Sequence, residues 1–219
     1  MIVIFDFDHT LFDKKRFFEE DLPRVIGVDK EEFIKTYNEN FKDDTTGKVN
    51  YSLEKHLEVL GKNDELSKKK INEFLKVADK YLKPGALELL EGFKMSGSDM
   101  YLVTQGNPEW QKMKIDQIKQ LNKYFNDSHR VISDLNKEKT MEFFKNVNDE
   151  IVIINDKPDE SLRMEKEIDR KCRIYITDSE YSRDIKYEGK TFKNLEELGK
   201  EIFPIGEAKY VSEYKIRKH

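Results

Sequence analysis

Short continuous apolar runs alternate along this chain with longer stretches in which apolar residues return every three or four positions. The first run, Ile2-Val3-Ile4-Phe5, is β-branched and aromatic with no helical period, and predicts a fully buried strand. Similar runs at 100–103, 130–132, 151–154 and 173–176 predict further strands. Helical spacing predicts helices at 86–95, 108–122, 138–147, 159–168 and 195–202. Strands alternating with helices imply right-handed crossovers and a mostly parallel sheet covered on both faces, an α/β architecture.

Residues 14–83 break this alternation. They offer no strand, while Phe17, Phe18, Leu22, Val25, Leu53, Leu57 and Leu60 recur at helical spacing. Gly, Asn and Asp signals divide the stretch into predicted helices at 14–26, 30–41, 52–60 and 64–81. The expected organisation is a core domain of residues 1–13 and 84–219 with an all-α insertion at 14–83.

Charge narrows the choice of partners. The 40 basic and 44 acidic residues are interspersed and sum to −4, which argues against a nucleic-acid or membrane footprint. A single cysteine, Cys172, excludes an internal disulfide framework and a cysteine-based zinc cluster. With no basic leader and no apolar run of membrane-spanning length, the expected location is the cytoplasm.

In open parallel sheets, ligands bind outside the carboxyl ends of the strands. There the chain places Asp6-Phe7-Asp8, Thr104-Gln105-Gly106-Asn107, and Asn155-Asp156-Lys157-Pro158-Asp159-Glu160. A buried strand cannot end in bare carboxylates without a metal, a cationic partner or a shifted pKa, because taking an isolated charge out of water is too costly. Acids and a hydroxyl from three strands therefore converge on one sheet edge.

These segments resemble the four motifs of the haloacid dehalogenase-like superfamily, most of whose members are magnesium-dependent phosphohydrolases. "DFDHTL" matches the first, "YLVTQGN" the second, "EKTMEFF" offers the lysine of the third, and "IVIINDKPDE" matches the fourth. The resemblance implies a Rossmann-like core with a small helical cap at 14–83, hinged near Phe12-Asp13 and Lys83-Pro84-Gly85. It implies Asp6 as the nucleophile that forms an aspartyl-phosphate and Asp8 as general acid and base. Thr104, Gln105 and Gly106 would bind the phosphoryl group, with Lys139 as the charge-neutralising lysine. Lys137 competes with Lys139, which is preferred because Thr140 and Phe143-Phe144 follow it at the family's spacing. Mg²⁺ would be held by Asp6, Asp156 and the backbone carbonyl of Asp8, and Glu160 would be a second acid of the fourth motif, with Asp159 as its alternative.

Two departures stand out: His9 occupies a usual glycine position, and Asn155-Asp156-Lys157-Pro158 replaces the common Gly-Asp start of the fourth motif. Dehalogenating members lack the acid corresponding to Asp8, because a halide leaves without a proton; its presence favours phosphate ester cleavage. A small phosphorylated metabolite is the expected substrate. The alternatives are a catalytically weak binding or regulatory protein, a phosphoryl transferase, and a nucleic-acid end phosphatase using the basic segments 68–70 and 215–218.

Overall fold

The computed structural model describes residues 1–42, 49–134, 136–183 and 187–204; the basic segment 215–218 lies outside them. The five predicted strands form as β1 (Ile2–Phe5), β2 (Asp99–Gln105), β3 (Arg130–Ser133), β4 (Ile151–Asn155) and β5 (Arg173–Thr177), joined by a sixth, β6 (Thr191–Phe192). All neighbouring pairs are parallel, in the order β3-β2-β1-β4-β5-β6. The connections reverse direction around β1, and such a switch point opens a crevice at the strands' carboxyl ends. The Asp6 amide donates to the Ile154 carbonyl at 2.9 Å, so Asp6 leaves β1 beside the end of β4.

Alternation of side chains along β1 divides the core. Val3 and Phe5 face α5 (Ala86–Met95), α6 (Pro108–Gln117) and α9 (Leu195–Ile202), in an apolar body that continues into the insertion through Phe17, Phe33, Phe74 and Tyr81. Ile2 and Ile4 face the opposite layer, where Met141 and Phe144 pack with Met164 and Ile168 of α7 (Pro158–Ile168).

The insertion contains α1 (Leu22–Ile26), α2 (Lys30–Phe41), α3 (Leu53–Val59) and α4 (Glu65–Leu75). Asp29, Ser52 and Asp64 cap the last three through their side-chain oxygens, satisfying amides that have no partner inside the helix. The predicted helix at 14–26 begins instead as a π-helical stretch, Lys15–Asp21, and continues as α1, where Pro23 supplies no amide. The predicted helix at 64–81 stops at Leu75 and resumes as a 3₁₀ turn, Ala78–Tyr81. That at 108–122 ends at Gln117, and that at 138–147 is a 3₁₀ helix, Glu138–Phe144. Both β6 and the four-residue α8 (Glu180–Arg183) are too short to show a period in sequence. Among the described residues no helix is long and apolar enough to cross a membrane.

Candidate active site

The turn after β1 explains the spacing of its aspartates. Phe7 is buried and stacks on Phe12 at 4.9 Å, while the amides of Leu11 and Phe12 both donate to the Phe7 carbonyl at 3.0 Å. His9 sits in the left-handed region at φ 65°, which accounts for a position where glycine is at home. Anchored by Phe7, the tight turn sends Asp6 and Asp8 to two different sets of partners.

Asp6 is buried and fully engaged. Its Oδ1 accepts from Lys137 Nζ at 2.6 Å and its Oδ2 from Thr10 Oγ1 at 2.9 Å. The same ammonium donates to Glu160 Oε1 at 2.7 Å, and that oxygen also accepts from Asn155 Nδ2 at 2.9 Å. Burial would strip Lys137 of its charge, but Asp6 and Glu160 outweigh it and push its pKa up. Glu160 moves down to about 2: burial opposes ionisation, and Lys137 overcomes it. Burial raises Asp6 against the pull of Lys137.

This geometry corrects the choice of lysine. Lys137 is buried against the two acids, whereas Lys139 is exposed and uses only its backbone amide, which donates to Asn136 Oδ1 at 3.1 Å. In a 3₁₀ helix, two residues turn a side chain by about 240°, so the chain that buries Lys137 directs Lys139 to water. Glu160, not Asp159, reaches the lysine; Asp159 pairs with Arg163 at 2.7 Å.

Asp156 closes the group on the β4 side. Its Oδ2 is buried without a hydrogen-bond partner, and burial together with the Asp6 charge raises its pKa to about 7. An orphaned carboxylate oxygen beside a second carboxylate is a place that calls for a cation. Among the described residues no three Asp, Glu, His or Cys side chains form a ready metal cage. Any metal here would draw on two carboxylates, Asp6 and Asp156, completed by backbone oxygen, water and ligand.

Asp8 finds the cationic partner that a buried strand end requires on α6, which supplies two polar groups not singled out from the sequence. Buried Lys114 donates to both Asp8 oxygens, at 2.6 and 3.0 Å, and Gln111 Nε2 donates to Oδ2 at 3.1 Å. Burial would raise Asp8, but Lys114 and then Lys14 reverse this and hold its carboxyl well below the usual range. Burial in turn lowers Lys114 to about 8. Their signal was the i, i+3 spacing that puts Gln111 and Lys114 on one helix face, but nothing in the sequence says that this face meets Asp8.

Thr104 is buried near the end of β2. The Gly106 amide donates to the Ser133 carbonyl at 2.9 Å, so that expected phosphate donor is already engaged. Asn107 caps α6 by accepting from the Trp110 amide at 3.0 Å. A cavity of about 780 Å³ is lined by Asp6, Asp8, Thr104, Gln105, Lys137 and Asp156.

The family model for haloacid dehalogenase-like hydrolases matches residues 1–161. The chain belongs to this family. Solved structures share its fold, the six-stranded parallel sheet with helices on both faces. A haloacid dehalogenase-like protein from Burkholderia xenovorans is similar over 91% of this chain and 94% of its own, with a TM-score of 0.66 and 15% identity. A phosphoserine phosphohydrolase-like protein from Francisella tularensis covers 91% and 98%, with 0.53 and 17%. YfnB of Bacillus subtilis, solved bound to magnesium, covers 93% and 98%, with 0.53 and 18%. No functionally curated protein matches this hydrolase.

Proposed function

We propose that the chain is a magnesium-dependent phosphohydrolase that cleaves a small phosphomonoester through an aspartyl-phosphate on Asp6. The observation that carries this reading is the arrangement around Asp6: a buried carboxylate at the switch point, held by Lys137 and facing the unpartnered oxygen of Asp156. Two carboxylates and the Asp8 backbone carbonyl are the sparse, hard donor set that suits Mg²⁺, an ion that keeps several waters and takes further ligands from phosphate. When bound, the ion would neutralise charge on the phosphoryl oxygens. Magnesium in YfnB and the phosphohydrolase likeness of the Francisella protein agree with this reading.

The rest of the chemistry lies in the chain's own residues. A carboxylate oxygen of Asp6 forms a bond to phosphorus as the bond to the leaving oxygen breaks, dividing one difficult displacement into two easier ones. Thr104 orients a phosphoryl oxygen, and Lys137 offsets negative charge as it shifts in the transition state. The proton for the leaving oxygen is held on the Asp8–Lys114 pair. Water then attacks phosphorus, Asp8 accepts its proton, and inorganic phosphate leaves with Asp6 restored. The helical insertion acts as a cap that shields the aspartyl-phosphate from bulk water.

The test is phosphate release from a panel of small phosphomonoesters with Mg²⁺, with EDTA, and with Asp6→Asn. Turnover that vanishes in both controls is the expected result. Turnover that survives in Asp6→Asn, or no release from any substrate by folded protein that binds Mg²⁺, would overturn the reading.

A further inference from the structure

Beyond the reacting groups, the same cavity has a cationic mouth. Lys14, where the chain enters the insertion, places its ammonium 3.9 Å from Asp8 Oδ2, beyond hydrogen-bond range, and makes no hydrogen bond among the described residues. The Lys157 ammonium lies 4.8 Å over the Tyr181 ring, and His9 packs edge-on against that ring at 5.2 Å. All four residues line the cavity. Acids on its outer wall are already matched: Glu138 and Asp159 pair with Arg163 at 2.6 and 2.7 Å, and Glu167 pairs with Lys145 at 3.0 Å. Lys14, which shares the Asp8 charge with Lys114, and Lys157 thus line the cavity with ammonium groups that no acid among the described residues holds by a hydrogen bond.

Position tells which part of a substrate they would meet. The two Asp6 oxygens are occupied by Lys137 and Thr10, so the transferred phosphoryl group has its own cation. Lys14 stands instead beside Asp8, the group that serves the leaving oxygen. An ammonium there addresses the alcohol portion of the ester. A lysine is a compact point charge that accepts a carboxylate or a phosphate alike.

We infer that the substrate is a phosphomonoester whose alcohol portion carries a second anionic group, a carboxylate or a second phosphate, held by Lys14 and Lys157 at the mouth of the site. The inference rests on the phosphohydrolase reading above and gives it a substrate class. Hydrogen bonds to charged groups of this kind correspond to roughly a 10- to 100-fold preference.

The experiment compares kcat/KM for three matched esters: propyl phosphate, the phosphate ester of 3-hydroxypropionate, and propane-1,3-diol bisphosphate. The enzyme should favour at least one dianionic-tail or carboxylate-tail ester over propyl phosphate by tenfold or more, and the two arms identify which anion fits. Lys14→Met should collapse the ratio to within about threefold, and Lys14→Arg should retain most of it. A ratio near one with measurable turnover, or a ratio unchanged in Lys14→Met, would overturn the inference. If none of the three esters nor p-nitrophenyl phosphate is hydrolysed, the phosphohydrolase reading fails separately. Calorimetry on the wild-type protein with propylphosphonate and 3-phosphonopropionate then decides the anion pocket: tighter binding of the carboxylated compound by tenfold supports it, and equal affinity refutes it.

Discussion

A single buried lysine decides what Asp8 can do. With Lys114 on both oxygens and Gln111 on one, Asp8 is a carboxylate at neutral pH, suited to receive a proton from water. Lys114→Met removes the nearest cation and leaves only Lys14 and Gln111 to oppose burial, so the Asp8 pKa rises. The acidic limb of the pH profile of kcat/KM should therefore move to higher pH, with a fall in kcat of roughly 10²-fold, the scale of general acid–base contributions. An unchanged acidic limb would detach Lys114 from the chemistry. A second contrast separates the competing lysines. Lys137→Ala should lower kcat by roughly 10²–10³-fold, the cost typical of losing one preorganised charge-stabilising group, while Lys139→Ala, on an exposed side chain, should stay within about twofold. Asp6, Asp8 and Asp156 were legible as candidates because each lies within three residues of the end of an apolar strand. Lys137 was legible only as the second choice to Lys139 and Lys114 not at all, since their placement depends on how a 3₁₀ turn rotates and on how α6 meets the β1 turn.

At the level of elements, what was readable tracks length. Strands of four or more residues and helices of seven or more announced themselves, whereas β6, with two residues, and α8, with four, carry no period at all. The insertion was readable as helical, but its interior holds a group that only packing reveals. His56 of α3 is buried beside the rings of Phe33 and Phe41, with Thr36 Oγ1 2.8 Å from its Nε2. Burial lowers its pKa from 6.5 to about 4, so the folded state keeps it neutral. A depressed histidine means that the unfolded chain binds the proton first, and stability falls as pH drops from about 6.5 toward about 4. Between pH 7.5 and pH 5 the melting temperature of the wild-type protein should drop by about 4–8 °C more than that of His56→Phe. Equal drops would show that His56 titrates as freely in the fold as outside it.

Across the whole molecule, the insertion is tied to the sheet by two adjacent chain crossings. The Asp13 amide donates to the Tyr81 carbonyl and the Lys83 amide to the Leu11 carbonyl, both at 2.8 Å, while Lys83 Nζ reaches the His9 carbonyl at 2.5 Å. The returning chain then turns into α5 at Gly85, at φ 83°, where a Cβ would stand 2.6 Å from the Glu196 backbone nitrogen of α9. One residue therefore joins this crossing to the last described helix. Gly85→Ala combines left-handed strain, about 1–3 kcal/mol, with a backbone clash that no side-chain rotation relieves. Gly97 supplies the control: at φ 72° it carries comparable strain, but a Cβ there meets nothing within 4 Å. In urea unfolding, both alanine variants should lower the midpoint with little change in slope. The loss at Gly85 should exceed that at Gly97 by 1 kcal/mol or more, because only Gly85 must push α5 and α9 apart. Equal losses would mean that the two helices yield without cost, and that α9 does not brace the chain crossing at Gly85.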